Sequence, residues 1–212
     1  GDFNLRVNAA QLDGVTQIGA STREGDAATL TVSMDGASEL DLSAIGFFGF
    51  GGEGSSVVIE GTDGSETITG SALSDRMSGG AGNDVLLGRD GNDRLEGGDG
   101  DDYLEGGAGD DFLIGGQGAN KLFGGDGIDT VSYETAAEGA TISLTTQWTT
   151  SGFGAAAGDQ HNSIENAIGS AYRDQFQGSE VGNVFTGGAG NDLFWGMGGD
   201  DELYGGEDND VL

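Results

Sequence analysis

Acidic side chains recur through this chain at a spacing of nine residues. In units counted from Gly61, the sixth residue is Asp, Asn or Glu as far as Asp129, and the same phase returns from Gly169 onward. Carboxylate oxygens are the ligands that hard divalent cations prefer, and calcium binds about six to eight oxygens from carboxylates and backbone carbonyls. The spacing therefore predicts a series of calcium sites.

Each acidic residue belongs to a unit with glycine first and an apolar residue eighth, as in GGAGNDVLL (79–87) and GGAGDDFLI (106–114). Glycine suits the first six residues, which must turn the chain sharply, because it reaches positive φ at little steric cost. The last three residues are predicted to form a short strand whose eighth residue points inward. Thirteen units keep these three positions in phase, which composition alone does not explain.

Two units form a coil of 18 residues with two strands, and stacked coils bring together acids that are 18 residues apart. Six pairs contain Asp only and are the main predicted sites: Asp75/Asp93, Asp84/Asp102, Asp93/Asp111, Asp111/Asp129, Asp174/Asp192 and Asp192/Asp210. Three further pairs are expected to bind more weakly: Glu66/Asp84, Asp102/Asn120 and Asn183/Asp201. One ion in each pair gives about six to nine calcium ions. Without cations these carboxylates would repel one another, so we expect calcium to be a condition of folding.

The repeat resembles the RTX family of hemolysin-type calcium-binding nonapeptide repeats, with the consensus G-G-x-G-x-D-x-U-x. The resemblance covers residues 61–132 and 169–212. It implies an all-β fold, a right-handed parallel β-roll or β-helix solenoid, in which Asp side chains of two turns and main-chain oxygens near the second and fourth positions bind calcium. The implied carbonyl ligands are Gly80, Gly82, Gly91, Gly98, Gly100, Gly107, Gly109, Gly116, Gly118, Gly125, Gly127, Gly188 and Gly190.

Four segments are predicted along the chain. Residues 1–60 are a capping β-segment or the end of a preceding domain, 61–132 and 169–212 are the two roll blocks, and 133–168 is an excursion with longer coils. We expect the second block to continue beyond Leu212, and one stack is favoured over two rolls with a spacer. In the first segment, Phe47, Phe48 and Phe50 are predicted to plug the end of the stack, with a partner surface as the alternative.

The outward strand positions are less polar than expected. Val85, Leu87, Tyr103 and Phe123 form a predicted apolar stripe on one face of the roll. Contiguous apolar surface often marks an interface. The excursion or a neighbouring domain is expected to cover this stripe, or the stripe supports self-association.

The composition argues against nucleic-acid binding, a transmembrane segment and catalysis. The net charge is −30, with 37 acidic and 7 basic residues, so nucleic acid is not an expected partner. No apolar run is long enough for a transmembrane segment. His161, the only histidine, is expected at the surface, and the chain has no cysteine, so no catalytic constellation is predicted and the chain is not expected to be an enzyme.

The predicted function is a calcium-binding module of an extracellular protein exported by type I secretion, a route implied by the family resemblance. Two alternatives stay open. The chain could be a structural segment of a surface adhesin, matrix or filament protein. It could also be a polysaccharide-binding module beside a secreted enzyme, although only Arg76, Arg89, Arg94, Lys121 and Arg173 could supply a basic groove in or near the repeats.

Overall fold

The structure is a computed structural model that describes residues 3–13, 15, 17–19, 27–50, 55–145, 149–150 and 154–212. Within these residues the chain is all-β apart from one short 3-10 helix at Ala9–Leu12. Nearly all strand pairs are parallel, as in stacked coils. The predicted fold class, a parallel β-roll, is confirmed.

The described residues contain twenty-two strands. The strands that precede the repeats are β1 (Phe3–Asn8), β2 (Gln17–Gly19), β3 (Ala28–Ser33), β4 (Glu39–Asp41), β5 (Gly46–Phe48) and β6 (Ser56–Thr62). Those of the first block are β7 (Thr67–Thr69), β8 (Asp75–Ala81), β9 (Val85–Asp90), β10 (Arg94–Asp99), β11 (Tyr103–Ala108), β12 (Phe112–Gln117), β13 (Lys121–Asp126) and β14 (Thr130–Ser132). The remaining strands are β15 (Thr141–Ser143), β16 (Thr149–Thr150), β17 (Gln160–Asn162), β18 (Asn166–Ile168), β19 (Gln175–Gln177), β20 (Val184–Ala189), β21 (Leu193–Trp195) and β22 (Glu202–Glu207).

One wall of the stack is continuous and the other is broken. The continuous wall is a ten-stranded sheet in the order β1-β3-β6-β8-β10-β12-β14-β18-β20-β22, which passes through both repeat blocks. The opposite wall consists of a seven-stranded sheet, β16-β17-β13-β11-β9-β7-β4, and a separate three-stranded sheet, β15-β19-β21. Both blocks therefore share one stack, and the excursion interrupts only the second wall.

The core is a column of eighth-position side chains inside the coils. Leu95 lies between Met77 and Leu113, which are the residues 18 positions before and after it. The eighth residues from Ile68 to Phe194 are at most 3% exposed. The inward prediction is wrong for Leu212, which is 67% exposed, and Leu203 is only half-buried. Both lie in the last coil, where no further described coil covers them.

The strands are longer than the predicted three residues. Strand β11 continues through Gly106 and Gly107 into the next unit, and Gly107 pairs with Arg89 and Gly125. The first glycine of the unit is left out of the register. A Cβ on Gly106 would lie 2.1 Å from Oδ2 of Asp111, so a side chain does not fit at this position.

Phenylalanines near the first coils partly fulfil the predicted plug. Phe50 is 5% exposed and its ring meets that of Phe47 edge-on at 5.3 Å. Phe48 instead remains 57% exposed. The plug therefore consists of two of the three rings.

One part of the excursion lies near the continuous wall, whereas its strands β16 and β17 extend the opposite wall. Ile114 of β12 is 4% exposed, and it shares a cavity lining with Ala136 and Ala155. Val85, Leu87, Tyr103 and Phe123 lie on the opposite wall and are each half-buried. Residues 146–148 and 151–153, on which the predicted covering of this stripe also depends, lie outside the described residues.

Candidate metal sites

The backbone of the turns directs carbonyl oxygens along the stack. All the glycines predicted as carbonyl ligands, from Gly80 to Gly190, have φ between +91° and +141°. A Cβ on Gly98 would lie 2.0 Å from the carbonyl oxygen of Gly80, and one on Gly100 would lie 1.8 Å from that of Gly82. The carbonyls of the second and fourth positions thus face the next coil, where only glycine leaves room for them.

In each predicted pair, the later side chain accepts a hydrogen bond from the backbone amide of the earlier residue. The amide of Asp93 donates to Oδ1 of Asp111 at 2.7 Å, and the amide of Asp111 donates to Oδ1 of Asp129 at 2.8 Å. The same bond joins the members of every predicted pair, at 2.7–3.0 Å. The structure therefore brings the predicted partners together on adjacent turns.

The second carboxylate oxygen of most of these aspartates is buried without any hydrogen-bond partner among the described residues. These oxygens are Oδ2 of Asp84, Asp93, Asp102, Asp111, Asp129 and Asp192. A buried carboxylate oxygen without a partner is costly, so it indicates a missing ligand such as a cation. This donor set fits calcium.

The carbonyl of the first position is a further candidate ligand that sequence reasoning missed. A Cβ on Gly79 would lie 2.3 Å from Oδ2 of Asp84 and 2.7 Å from the carbonyl oxygen of Gly97. Both oxygens therefore converge beside the same glycine. Nowhere in the described ranges do three or more His, Cys, Asp or Glu side chains form a metal cluster. A site here would thus combine two carboxyl groups with several carbonyls, which suits calcium better than zinc.

Two of the six Asp-only pairs contain an acid whose two oxygens are already hydrogen-bonded within its own turn. The backbone amide of Ser71 donates to Oδ2 of Asp75 at 2.6 Å, and the Ser71 hydroxyl donates to Oδ1 at 2.9 Å. Ser170 does the same for Asp174. These hydroxyls were not predicted as functional, although their position directly after the first glycine is visible in the sequence.

The side chain of Asn120 presents a nitrogen instead of an oxygen to the interior of its turn. Its Oδ1 accepts the amide of Asp102 at 3.0 Å, so the buried Nδ2 takes the position that Oδ2 has in an aspartate. An NH2 group cannot ligate a metal. The turn of Asn120 is therefore poorer in ligands than its neighbours.

The excursion supplies two more acids at equivalent places. Asp159 Oδ1 accepts the amide of Asn120 at 2.7 Å, and Glu165 Oε2 accepts the amide of Asp129 at 2.9 Å. Glu165 follows Asp129 by 36 residues, four units of nine, so the phase of the repeat could have identified it. Asp159 is out of phase and could not be found in this way.

The predicted surface position of His161 is wrong. His161 pairs in register with Leu122 and is 2% exposed. Its Nε2 lies 2.8 Å from the hydroxyl of Tyr133, which also donates to Oδ2 of Asp159 at 2.7 Å. Burial lowers the pKa of His161 to about 4, so the ring is neutral at physiological pH. Strand β17 contains only polar residues, so the sequence gives no sign that His161 is in the core.

Burial raises the pKa of the sixth-position aspartates from Asp75 to Asp192 in the metal-free chain. The pKa of Asp93 rises to about 8 and that of Asp129 to about 7, because desolvation outweighs the hydrogen bonds from Asp75 and Asp111. Neighbouring carboxylates add to the rise. A bound calcium ion would act in the opposite direction, since a nearby positive charge favours the ionised form.

We expect opposite pH dependence with and without calcium. In chelator the folded state binds more protons than the unfolded chain between about pH 4 and pH 8, so its stability rises as the pH falls. In calcium, protons compete with the metal, so the stability falls with the pH. Circular dichroism (CD) melts at pH 5 and pH 8 in both conditions test this, and the same trend in both would contradict it.

Comparison with known families was consistent with this geometry. A family model described as the RTX calcium-binding nonapeptide repeat matches residues 60–95, 96–131 and 177–212, just over half of the chain. No curated protein matches the chain. Among the described residues, no helix is long and apolar enough to cross a membrane.

Proposed function

Because the chain belongs to the RTX calcium-binding nonapeptide repeat family, we propose that it is a calcium-triggered folding module of an extracellular protein. The row of buried Oδ2 atoms without partners carries this proposal. Each of them would be left buried and without a hydrogen-bond partner in a metal-free roll. Calcium supplies the positive charge and the flexible oxygen coordination that these atoms need.

The best supported sites lie between turns whose acids both keep a free oxygen. Three pairs meet this condition within the first block: Asp84/Asp102, Asp93/Asp111 and Asp111/Asp129. Asp192/Asp210 is the corresponding pair of the second block, with Asp210 half-exposed. Carbonyls of the first, second and fourth positions of the same turns would complete the coordination.

The calcium concentration outside the cell supports a role in export. Extracellular modules bind calcium with dissociation constants of about 10⁻⁴–10⁻³ M. With such sites the chain would stay largely unfolded where calcium is scarce, and this suits type I secretion, the route implied by the family. Outside the cell, each site adds about 2.7 kcal/mol at a hundredfold excess of calcium over the dissociation constant.

The proposal is tested by CD of the full chain in chelator and then in millimolar calcium. We expect a large gain of β signal on addition of calcium, and little gain with the same concentration of magnesium. Magnesium requires near-octahedral geometry and dehydrates reluctantly, so it is a matched control. An identical spectrum in chelator and in calcium would contradict the proposal.

The two alternative functions have less support. The apolar stripe of Val85, Leu87, Tyr103 and Phe123 is half-buried, which weakens the case for self-association through it. The basic residues do not share one surface. Arg76 and Arg94 are neighbours on the ten-stranded sheet, Lys121 lies on the opposite wall, and Arg89 has the positive φ of a turn.

A further inference from the structure

In four turns of the roll a side-chain hydroxyl forms hydrogen bonds across the turn, and these are called the hydroxyl-closed turns. In these units the second residue is Thr62, Ser71, Ser170 or Ser179 instead of glycine. The hydroxyl of Ser71 accepts the amide of Leu73 at 3.1 Å while it donates to Asp75. The amide of Ser71 donates to the other oxygen of Asp75 at 2.6 Å.

The same network recurs in the other three turns. Thr62 donates to both oxygens of Glu66 through its amide (3.1 Å) and its hydroxyl (2.5 Å). Ser170 binds both oxygens of Asp174 at 2.7–3.1 Å. The amide of Ser179 donates to Oδ1 of Asn183 at 2.8 Å. In each case the hydroxyl also accepts the amide of the fourth residue, at 3.0–3.4 Å.

The hydroxyl separates the units into two classes. None of the four sixth-position residues in hydroxyl-closed turns has a buried polar atom without a partner, whereas Asp84, Asp93, Asp102, Asp111, Asn120, Asp129 and Asp192 each have one. The two remaining sixth-position residues, Asp201 and Asp210, are half-exposed in the last units. Every unit with an unpartnered atom has glycine or arginine in second place.

The backbone differs between the two classes as well. The second residue has positive φ in the turns with glycine, and also at Arg89 and Met197. Thr62, Ser71, Ser170 and Ser179 do not have positive φ. The fourth residue of these turns also lacks it, which is why Leu73, Tyr172 and Val181 are tolerated there. The carbonyls are therefore not arranged as in the turns that fit calcium.

We propose that the second residue of each unit decides whether its turn requires calcium, and that the four hydroxyl-closed turns fold without metal. This inference rests on the proposed function. The hydroxyl-closed turns are consecutive pairs, 61–78 and 169–186, at the start of each block. Each block therefore begins with one complete coil that needs no calcium, and the calcium-dependent coils stack onto it.

The first of these coils stacks on strands that have a buried apolar core. Strand β8 pairs with β6, and β6 pairs with β3, so the coil 61–78 continues the stack of the preceding strands. Leu30, Val32, Val57 and Ile59 in these strands are at most 1% exposed. Residues 28–50 and 55–78 thus have both a buried core and hydrogen-bonded acids.

Hydrogen exchange of the full chain in chelator and in calcium tests the inference. We expect strands within 28–50 and 55–78 to stay protected in chelator, with exchange at least about a hundredfold slower than in an unfolded chain. Residues 79–132 should gain such protection only in calcium. If 28–78 is also unprotected in chelator but protected in calcium, the inference fails while the proposed function stands. If no segment responds to calcium, the proposed function itself fails.

Two variants test the second residue directly. The double substitution Ser71→Gly and Leu73→Gly restores the glycine pattern of a calcium turn, and we expect it to raise the bound calcium by one ion per chain in equilibrium dialysis. Ser71→Ala should lower the urea midpoint equally in chelator and in calcium, whereas Ser78→Ala in strand β8 should change neither. Unchanged stoichiometry in the double variant, or a loss for Ser71→Ala in calcium alone, would overturn the inference.

Discussion

Asp111→Asn is expected to destabilise the calcium-loaded chain by about 5 kcal/mol, because Asp111 belongs to two of the proposed sites and each contributes about 2.7 kcal/mol. Asparagine retains an oxygen that can accept the amide of Asp93, so the backbone hydrogen bond is kept. What is lost is the negative charge and the buried Oδ2. Urea unfolding in saturating calcium measures the effect.

In chelator the same substitution should not destabilise the chain, because residues 79–132 are expected to be unfolded there. In a folded roll without metal the carboxyl group would be desolvated and close to the charge of Asp110, so its removal would relieve an unfavourable burial. Asp126→Asn is the matched control, because Asp126 is exposed on the surface of the same block. It should change stability by less than about 0.5 kcal/mol in both conditions. An equal loss for Asp111→Asn with and without calcium would argue against metal binding at this residue.

Gly100→Ala is expected to destabilise the protein by more than about 4 kcal/mol, or to prevent folding of the first block. The added Cβ would lie 1.8 Å from the carbonyl oxygen of Gly82 and 2.6 Å from its carbon, at a φ of +141°. Both atoms are backbone, so relief requires the two coils to separate. Because separation also breaks the stacking of carbonyls, calcium affinity should fall together with stability.

Gly36→Ala separates backbone strain from steric conflict. Gly36 has a φ of +84°, but apart from its own residue and its two chain neighbours no atom would lie within 4 Å of a Cβ there. We expect a cost of about 1–2 kcal/mol, from the left-handed backbone alone. Thermal unfolding in saturating calcium compares the two variants. Similar losses in both would show that the close stacking of the turns is not what requires glycine.

The regular part of the fold could be predicted because each repeat position has a single physical task. The eighth residue fills the core, the first glycine leaves room for the acid of its own turn, and acids 18 residues apart meet. Strands outside the repeats were also predictable from alternation. Apolar and polar residues alternate over Thr29–Met34 and Glu39–Leu42, and strands β3 and β4 lie at these places.

The excursion could not be predicted, because other residue types occupy its core and acid positions. His161 fills a core position that Leu occupies elsewhere, and Asp159 replaces a lattice acid at an irregular distance from Asn120. Neither is recognisable by residue type or spacing. The hydroxyl-closed turns are a different case, since their signal is present in the sequence and only the hydrogen bonds show its meaning.

The hydrogen bonds between sixth positions give the stack a direction. In each of them an earlier coil donates its amide and a later coil supplies the carboxyl or amide oxygen. The rule survives the excursion, where Asp129 donates forward to Glu165, and Ala140 donates forward to Asp174. Each of these bonds pairs a donor of the earlier coil with an acceptor of the later one. The two faces of a coil are therefore chemically different: the face toward the carboxyl end of the stack presents backbone amides, and the opposite face presents side-chain oxygens.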